Sequence, residues 1–201
     1  MIRFFFDSFV FSRIHCFTTL SVETYQGSIM PTLSIEQAIF RETQEVFHLT
    51  SFNEGQTAVV SLTNQAQHEI NLYSHILCPH IFNTEPVIKA LTQFCLKNNR
   101  TQINILINDS RPITQLSHRL LSLSHRLSSS IHFKKLNPRL AIRDDDFICF
   151  DKSAYLQLTH YQHYAGTCHF SDSDRTVQLL SYFKEAWEQS YSDPELRSIT
   201  L

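Results

Sequence analysis

Short apolar runs alternate with amphipathic helical stripes along most of the chain. The clearest run, QINILI at 102–107, predicts a buried strand, and EINLYSHIL at 69–77 predicts another that ends in polar residues. Further strands are predicted over 44–51, 131–136, 147–150, 154–160 and 166–170. Helices are predicted over 53–67, from Thr84 onward, over 113–127 and over 174–191. The last helix carries an apolar stripe of Val177, Leu180, Phe183 and Trp187.

Strands that alternate with helices predict right-handed crossovers and a sheet covered on both faces. We therefore expect an α/β fold with a mixed, mostly parallel sheet flanked by helices. A chain of 201 residues suits one domain with a substantial core, which we place at residues 30–201.

Residues 1–29 have a different character. They are rich in phenylalanine, but Asp7 and Arg13 interrupt the apolar pattern that a secretory signal needs. Since Met30-Pro31 reads like a natural beginning, we expect 1–29 to be a poorly ordered or mis-assigned extension. The alternative is an extra element that packs on the domain.

Composition excludes several classes of function. The net charge of −2 gives no surplus of cations for duplex DNA, so no dedicated nucleic-acid binding is expected. Only 3 glycines are present, which argues against glycine-rich phosphate loops and nucleotide cofactors. The 5 cysteines never form a C-x-x-C pair, and no apolar run is long enough to span a membrane. We expect a cytoplasmic protein without a cofactor.

Four segments together resemble one half of a phospholipase-D-type domain: EINLYSHIL, QINILIND, DDDFICFDKSAYL and YFKEAWEQS. In that superfamily a His-x-Lys-x4-Asp motif supplies an attacking histidine, a phosphate-binding lysine and a supporting aspartate. Counting back from Asp151 places Asp144 at the histidine position and Asp146 at the lysine position. Two carboxylates there repel a phosphodiester. The resemblance therefore implies a phospholipase-D-like half without the catalytic motif, more consistent with a binding or regulatory domain than with an enzyme.

Two longer patterns are similar to those of uncharacterised bacterial domains found alone or behind GNAT-type acetyltransferase domains. They are LYSH-x-L-x-P-x-x-F at 72–82 and YF-x-x-x-W-x-x-S-x-x-D-P-E-L at 182–196. Because phospholipase-D halves commonly pair to share one site, the resemblance also implies a homodimer.

A ligand pocket is expected where polar residues follow the buried strands, because open α/β sheets bind ligands beyond the carboxyl ends of their strands. The candidates are Tyr73, Ser74, His75, Asp109 and Ser110, and the expected ligand is a small polar molecule or a protein. Alternatively, Tyr73 and His75 only pack and cap. A contrasting function is a phosphodiester or ester hydrolase, with His75 as the base and Asp109 orienting it.

Metal sites are a further alternative. Asp144, Asp145 and Asp146 could bind Mg²⁺ or Ca²⁺, but no glycine-containing calcium-loop spacing surrounds them, and a solvated turn leading into the strand is the favoured interpretation. His160, His163 and His169 cluster in the sequence, but no two of them form a tight ligand pair with a third partner at the spacing typical of zinc sites. We therefore expect no metal.

Overall fold

The computed structural model describes residues 33–115, 118–160 and 163–196. The predicted extension over 1–29 lies outside these residues. A single seven-stranded sheet has the strand order β1-β7-β6-β5-β2-β3-β4. The strands are β1 (Val46–Leu49), β2 (Glu69–Ser74), β3 (Gln102–Ile107), β4 (Ile131–Lys135), β5 (Asp146–Phe150), β6 (Ala154–His160) and β7 (His163–His169). The helices are α1 (Phe52–Gln65), α2 (Pro79–Phe82), α3 (Glu85–Lys97), α4 (Arg111–Gln115), α5 (Arg119–Arg126) and α6 (Ser173–Gln189), followed by a 3₁₀ turn at Pro194–Leu196.

The expected mixed α/β sheet is present, but its parallel part is smaller than predicted. Only β2, β3 and β4 pair in parallel, and every other pairing is antiparallel. Helical crossovers connect β2 to β3 and β3 to β4, which parallel pairing requires. A short turn at 151–153 joins β5 to the antiparallel β6, and β7 pairs antiparallel with β6.

Two apolar clusters cover the two faces of the sheet. The larger contains the buried residues of α1, α3 and α5. The smaller lies under α6, where Leu179, Leu180 and Phe183 are buried. Val177 is 53% exposed, contrary to the predicted stripe, because the helix turns Thr176 and Leu179 inward instead.

Local signals fix several element ends. Ser51 and Glu54 form a reciprocal capping box at the start of α1.

β2 ends at Ser74 rather than at the predicted residue 77, because Leu77 adopts a left-handed backbone with φ 55°. The predicted helix over 113–127 is divided into α4 and α5. His118 has extended backbone and its Nδ1 accepts from the Leu120 amide at 3.2 Å, so it starts a new helix. Among the described residues, no helix is long and apolar enough to cross a membrane.

Candidate functional site

The carboxyl ends of β2 and β3 meet the first residue of β5 at one end of the sheet. Ser74 lies opposite Ile107 in the parallel β2–β3 pair. Tyr73 lies opposite Phe147 in the antiparallel β2–β5 pair, which brings Asp146 beside Ser74. The predicted polar residues after the two strands are therefore brought together with Asp146, the last residue of the triple-aspartate segment.

Asp146 is an internal residue rather than part of a solvated turn. Its side chain is 2% exposed. It accepts a 2.5 Å hydrogen bond from the Ser74 hydroxyl and a 2.8 Å bond from the His75 amide. Ser74 Oγ in turn accepts from the Leu77 amide at 2.9 Å. Burial raises the pKa of Asp146 to about 6, although the two hydrogen bonds oppose this rise.

The neighbouring acids point elsewhere, so the three aspartates do not converge. Asp144 is exposed. Asp145 is bound by Arg143 through two 2.7 Å hydrogen bonds and by the amide of Gln157. Burial would raise the pKa of Asp145, but the bonds from Arg143 and Gln157 outweigh it and the pKa is lowered.

Asp151 lies at the other end of β5, a full strand away from Asp146. Its carboxylate is 3% exposed and accepts from the backbone amides of Gln67, His68 and Glu69 at 3.1, 2.8 and 3.1 Å. Its backbone has φ 51°. Asp151 therefore joins the β5–β6 turn to the start of β2, and Asp144, Asp146 and Asp151 do not line a common site.

His75 and Asp109 are the half-buried members of the predicted pocket. Nδ1 of His75 lies 3.2 Å from the side-chain amide of Asn108. Both carboxylate oxygens of Asp109 accept from the Arg111 guanidinium, at 2.7 to 3.2 Å. These bonds hold the pKa of Asp109 below its usual value. A carboxylate committed to an arginine in this way is a poor orienting group for a catalytic base.

Ser110 is fully buried and belongs to a polar cluster that the sequence did not predict. Its hydroxyl donates to Asp193 at 2.8 Å and accepts from Lys135 Nζ at 3.1 Å. Lys135 also lies 3.3 Å from Asp193. These contacts fasten the segment after α6 to the ends of β3 and β4. Asp193 belongs to the D-P-E-L pattern noted in the sequence, whereas no signal pointed to Lys135.

Tyr73 faces away from this end of the sheet, into the cluster under α6. It is fully buried, stacks on Phe147 at 5.4 Å and accepts from the Arg143 amide at 3.2 Å. The Arg143 guanidinium lies 5.0 Å from the Tyr182 ring and 5.5 Å from the Phe147 ring. Three of the predicted ligand-binding residues, Tyr73, Ser74 and Ser110, are therefore buried and bonded inside the protein.

Several histidines with described side chains have structural contacts. His118 caps α5, and burial lowers its pKa to about 4. His125 bonds the Leu196 carbonyl at 2.9 Å, and His169 packs against Tyr155. Over the ranges that the structure describes, no three His, Cys, Asp or Glu side chains are grouped as a metal site would require.

Comparisons with known proteins identify the fold. A family model described as "Domain of unknown function (DUF7931)" matches residues 51–199. No curated protein matches the chain.

Three solved structures with phospholipase-D-like folds are similar to this chain. TrmBL2, an archaeal chromatin protein whose structure shows a novel mode of DNA binding, has a TM-score of 0.55 at 13% identity, with 76% of this chain and 55% of TrmBL2 covered. NucT from Helicobacter pylori has a TM-score of 0.51 at 8% identity, with 74% of this chain and 100% of NucT covered. The phosphatidylserine synthase of Haemophilus influenzae has a TM-score of 0.50 at 12% identity, with 75% of this chain and 40% of the synthase covered. The chain thus spans about half of TrmBL2, and identities this low show the fold alone.

Proposed function

The chain belongs to the DUF7931 family, and we propose that it is a non-catalytic phospholipase-D-like domain with a binding or regulatory role. The observation that carries this proposal is the environment of Asp146. The motif spacing assigns Asp146 to the position of the phosphate-binding lysine. Here a buried carboxylate accepts hydrogen bonds from Ser74 and from the His75 amide. The position has become part of the internal structure of the sheet end.

Charge supports the same proposal. Asp144, at the position of the attacking histidine, carries no imidazole and is exposed. Asp145 between them is paired with Arg143, the cation that the phosphate of a substrate would need. A phosphodiester at this point would therefore face carboxylates, and the neighbouring Arg143 is already paired with Asp145.

A hydrolase built on His75 and Asp109 is the second candidate, because both side chains are half-buried at the carboxyl end of the parallel strands, where α/β enzymes bind substrates. The geometry favours it less, since Arg111 occupies both oxygens of Asp109. Nor is Ser74 or Ser110 exposed as a nucleophile.

The deciding experiment measures turnover of bis-p-nitrophenyl phosphate and of p-nitrophenyl acetate by the purified full chain, with and without Mg²⁺. We expect no rate above the uncatalysed background. His75→Ala and Asp109→Asn serve as matched variants. Turnover that disappears in His75→Ala, while the circular dichroism spectrum and melting temperature are retained, would establish the hydrolase instead.

The remaining parts of the proposal concern assembly and location. We propose that the protein is a homodimer in the cytoplasm and that it binds a protein or a small polar ligand. We also propose that it is related to the bacterial domains that occur alone or behind GNAT-type acetyltransferase domains. The buried free thiols of Cys78, Cys95, Cys149 and Cys168 are consistent with a reducing compartment. Light scattering at micromolar concentration tests the dimer, and a strict monomer mass would remove it from the proposal.

A further inference from the structure

A cavity of about 430 Å³ lies at the opposite end of the sheet from Asp146. It is formed by the amino ends of β2 and β3, by the turn between β5 and β6, and by the segment before β1. Four of its lining residues are basic or can become so: Arg41, His68, Arg100 and Lys152. This concentration of cations is unusual in a chain whose net charge is −2.

The buried acid in this cavity does not neutralise those cations. Asp151 already accepts the backbone amides of Gln67, His68 and Glu69. Its one described ion pair is with Arg41 at the long distance of 3.6 Å, and the Arg41 side chain is 54% exposed. Amide dipoles therefore stabilise most of the Asp151 charge, which leaves the Arg41 guanidinium available to a second anion.

Two further cations, Arg100 and Lys152, also line the cavity. Arg100 and Lys152 are both exposed, and neither forms an ion pair with any residue that the structure describes. The backbone places them on opposite sides of the cavity, Arg100 just before β3 and Lys152 just after β5. Glu69 and the buried Asp151 also line the cavity, and both carboxylates oppose an incoming anion.

We propose that this cavity binds a small phosphorylated anion, with Arg41, Arg100 and Lys152 contacting the phosphate. Guanidinium and ammonium groups are the side chains that bind phosphate oxygens in proteins. Gln102 and His68 supply additional hydrogen-bond donors at the rim. A small ligand is favoured over nucleic acid because the cations line one cavity rather than an extended surface, and because the overall charge is negative. The site is independent of the Asp146 region, so it holds whether or not the domain is an enzyme.

The test is isothermal titration of the full chain with pyrophosphate at constant ionic strength. We expect a dissociation constant at or below about 1 mM, the weak range typical of a few exposed charge-assisted contacts. Arg100→Gln combined with Lys152→Gln should weaken binding about tenfold or more, since each lost charge-assisted hydrogen bond has an effect of that order. Glu69→Gln should strengthen binding about two- to fivefold, because it removes one opposing charge.

The matched control is Arg139→Gln combined with Lys184→Gln. It removes the same two charges from exposed positions that do not line this cavity. We expect its affinity to remain within about twofold of the parent, as for distant exposed charges. Equal weakening in both double variants would mean non-specific attraction and would overturn the proposal, as would the absence of any heat. Tighter binding of a single-stranded oligonucleotide than of pyrophosphate, lost in the same variant, would also overturn it by assigning the cations to nucleic acid.

Discussion

Ser74 and Asp146 are 72 positions apart in the sequence, yet the Ser74 hydroxyl donates to the Asp146 carboxylate at 2.5 Å inside the protein. The contact joins the end of β2 to the start of β5. It also fixes the left-handed turn at Leu77, whose amide donates to Ser74 Oγ. A single buried acid thus organises this end of the sheet.

Asp146→Asn should remove one component of the pH dependence of stability. Because burial raises the pKa of Asp146 to about 6 in the folded state, against about 3.9 when unfolded, the folded state binds the proton more tightly. Its contribution is therefore greatest below pH 4 and is lost as the pH rises through 6, a change of roughly 2 to 3 kcal/mol. Asparagine resembles the protonated acid and should preserve the fold, but its stability should not fall as the pH rises through 6. Urea unfolding between pH 4 and 8 measures the free energy of unfolding of both proteins.

Asp144→Asn is the matched control for Asp146→Asn. It makes the same chemical change two residues away at an exposed position. We expect its free energy of unfolding to stay within about 0.5 kcal/mol of the parent at each pH. A pH profile that is the same in the Asp146→Asn variant as in the parent would show that Asp146 does not titrate in this range.

His118→Asn should reveal the opposite dependence. Burial lowers the pKa of His118 to about 4, below about 6.5 in the unfolded chain. The neutral imidazole therefore stabilises the fold above pH 6.5, and this contribution is lost as the pH falls toward 4. Asparagine can still cap α5 through its side-chain oxygen. The parent combines both trends, whereas the His118→Asn protein should become relatively more stable as the pH falls from 6.5 to 4. Urea titrations at pH 4.5, 5.5 and 6.5 decide this, and an unchanged slope would contradict it.

Asp146→Lys should destabilise the protein without creating phosphodiesterase activity. An ammonium cannot accept the hydrogen bonds from Ser74 and the His75 amide, and it would be buried without a counter-ion. We expect a loss of about 3 to 5 kcal/mol, the cost of an unpaired buried charge. Combining it with Asp144→His should leave hydrolysis of bis-p-nitrophenyl phosphate at background. If the double variant folded and hydrolysed this substrate, the internal structural role that we assign to Asp146 would be wrong, because the two substitutions alone would have restored a catalytic site.

The sequence predicted the strands best where burial on both faces leaves a continuous apolar run. β3 has the predicted bounds of residues 102–107. The prediction of a mixed, mostly parallel sheet did not specify that β5, β6 and β7 run antiparallel, since their direction depends on tertiary pairing. The break between α4 and α5 was not predicted because the leucines keep a helical spacing across it. The residue that starts α5 is His118, which is not among the usual N-cap residues.

The candidate site was predicted in part. The spacing from Asp151 singled out Asp146, and the strand ends singled out Ser74 and His75. What could not be predicted is that Asp146 and Ser74 bind each other, because this contact depends on the antiparallel register of β2 and β5. Likewise, Lys135 meets Asp193 only because the segment after α6 pairs with β4 at Tyr191.

Asp151→Ala should destabilise the protein through the β5–β6 turn. The substitution leaves three backbone amides without their acceptor and places alanine at φ 51°. We expect a loss of about 3 kcal/mol, since unsatisfied buried donors and a left-handed alanine both cost free energy. Asp151→Asn, which keeps one side-chain oxygen and tolerates this backbone, should lose clearly less. Chemical denaturation of the three proteins gives the order, and equal losses for alanine and asparagine would remove the role assigned to the carboxylate.

Asp193→Ala should release the segment that follows α6. Asp193 is 6% exposed and contacts Ser110 at 2.8 Å and Lys135 at 3.3 Å. Its loss leaves a buried hydroxyl and a half-buried ammonium without this acceptor, which we expect to cost about 1 to 3 kcal/mol. Amide exchange should become faster at Tyr191–Leu196 and at the end of β4, while α1 and α3 remain protected, because the cluster joins only the former elements. Arg119→Gln breaks the exposed pair with Glu85, whose partners are 55% and 83% exposed, and should change stability by less than about 1 kcal/mol. If both variants exchanged alike, the buried cluster would contribute no more to holding this segment than an exposed ion pair does.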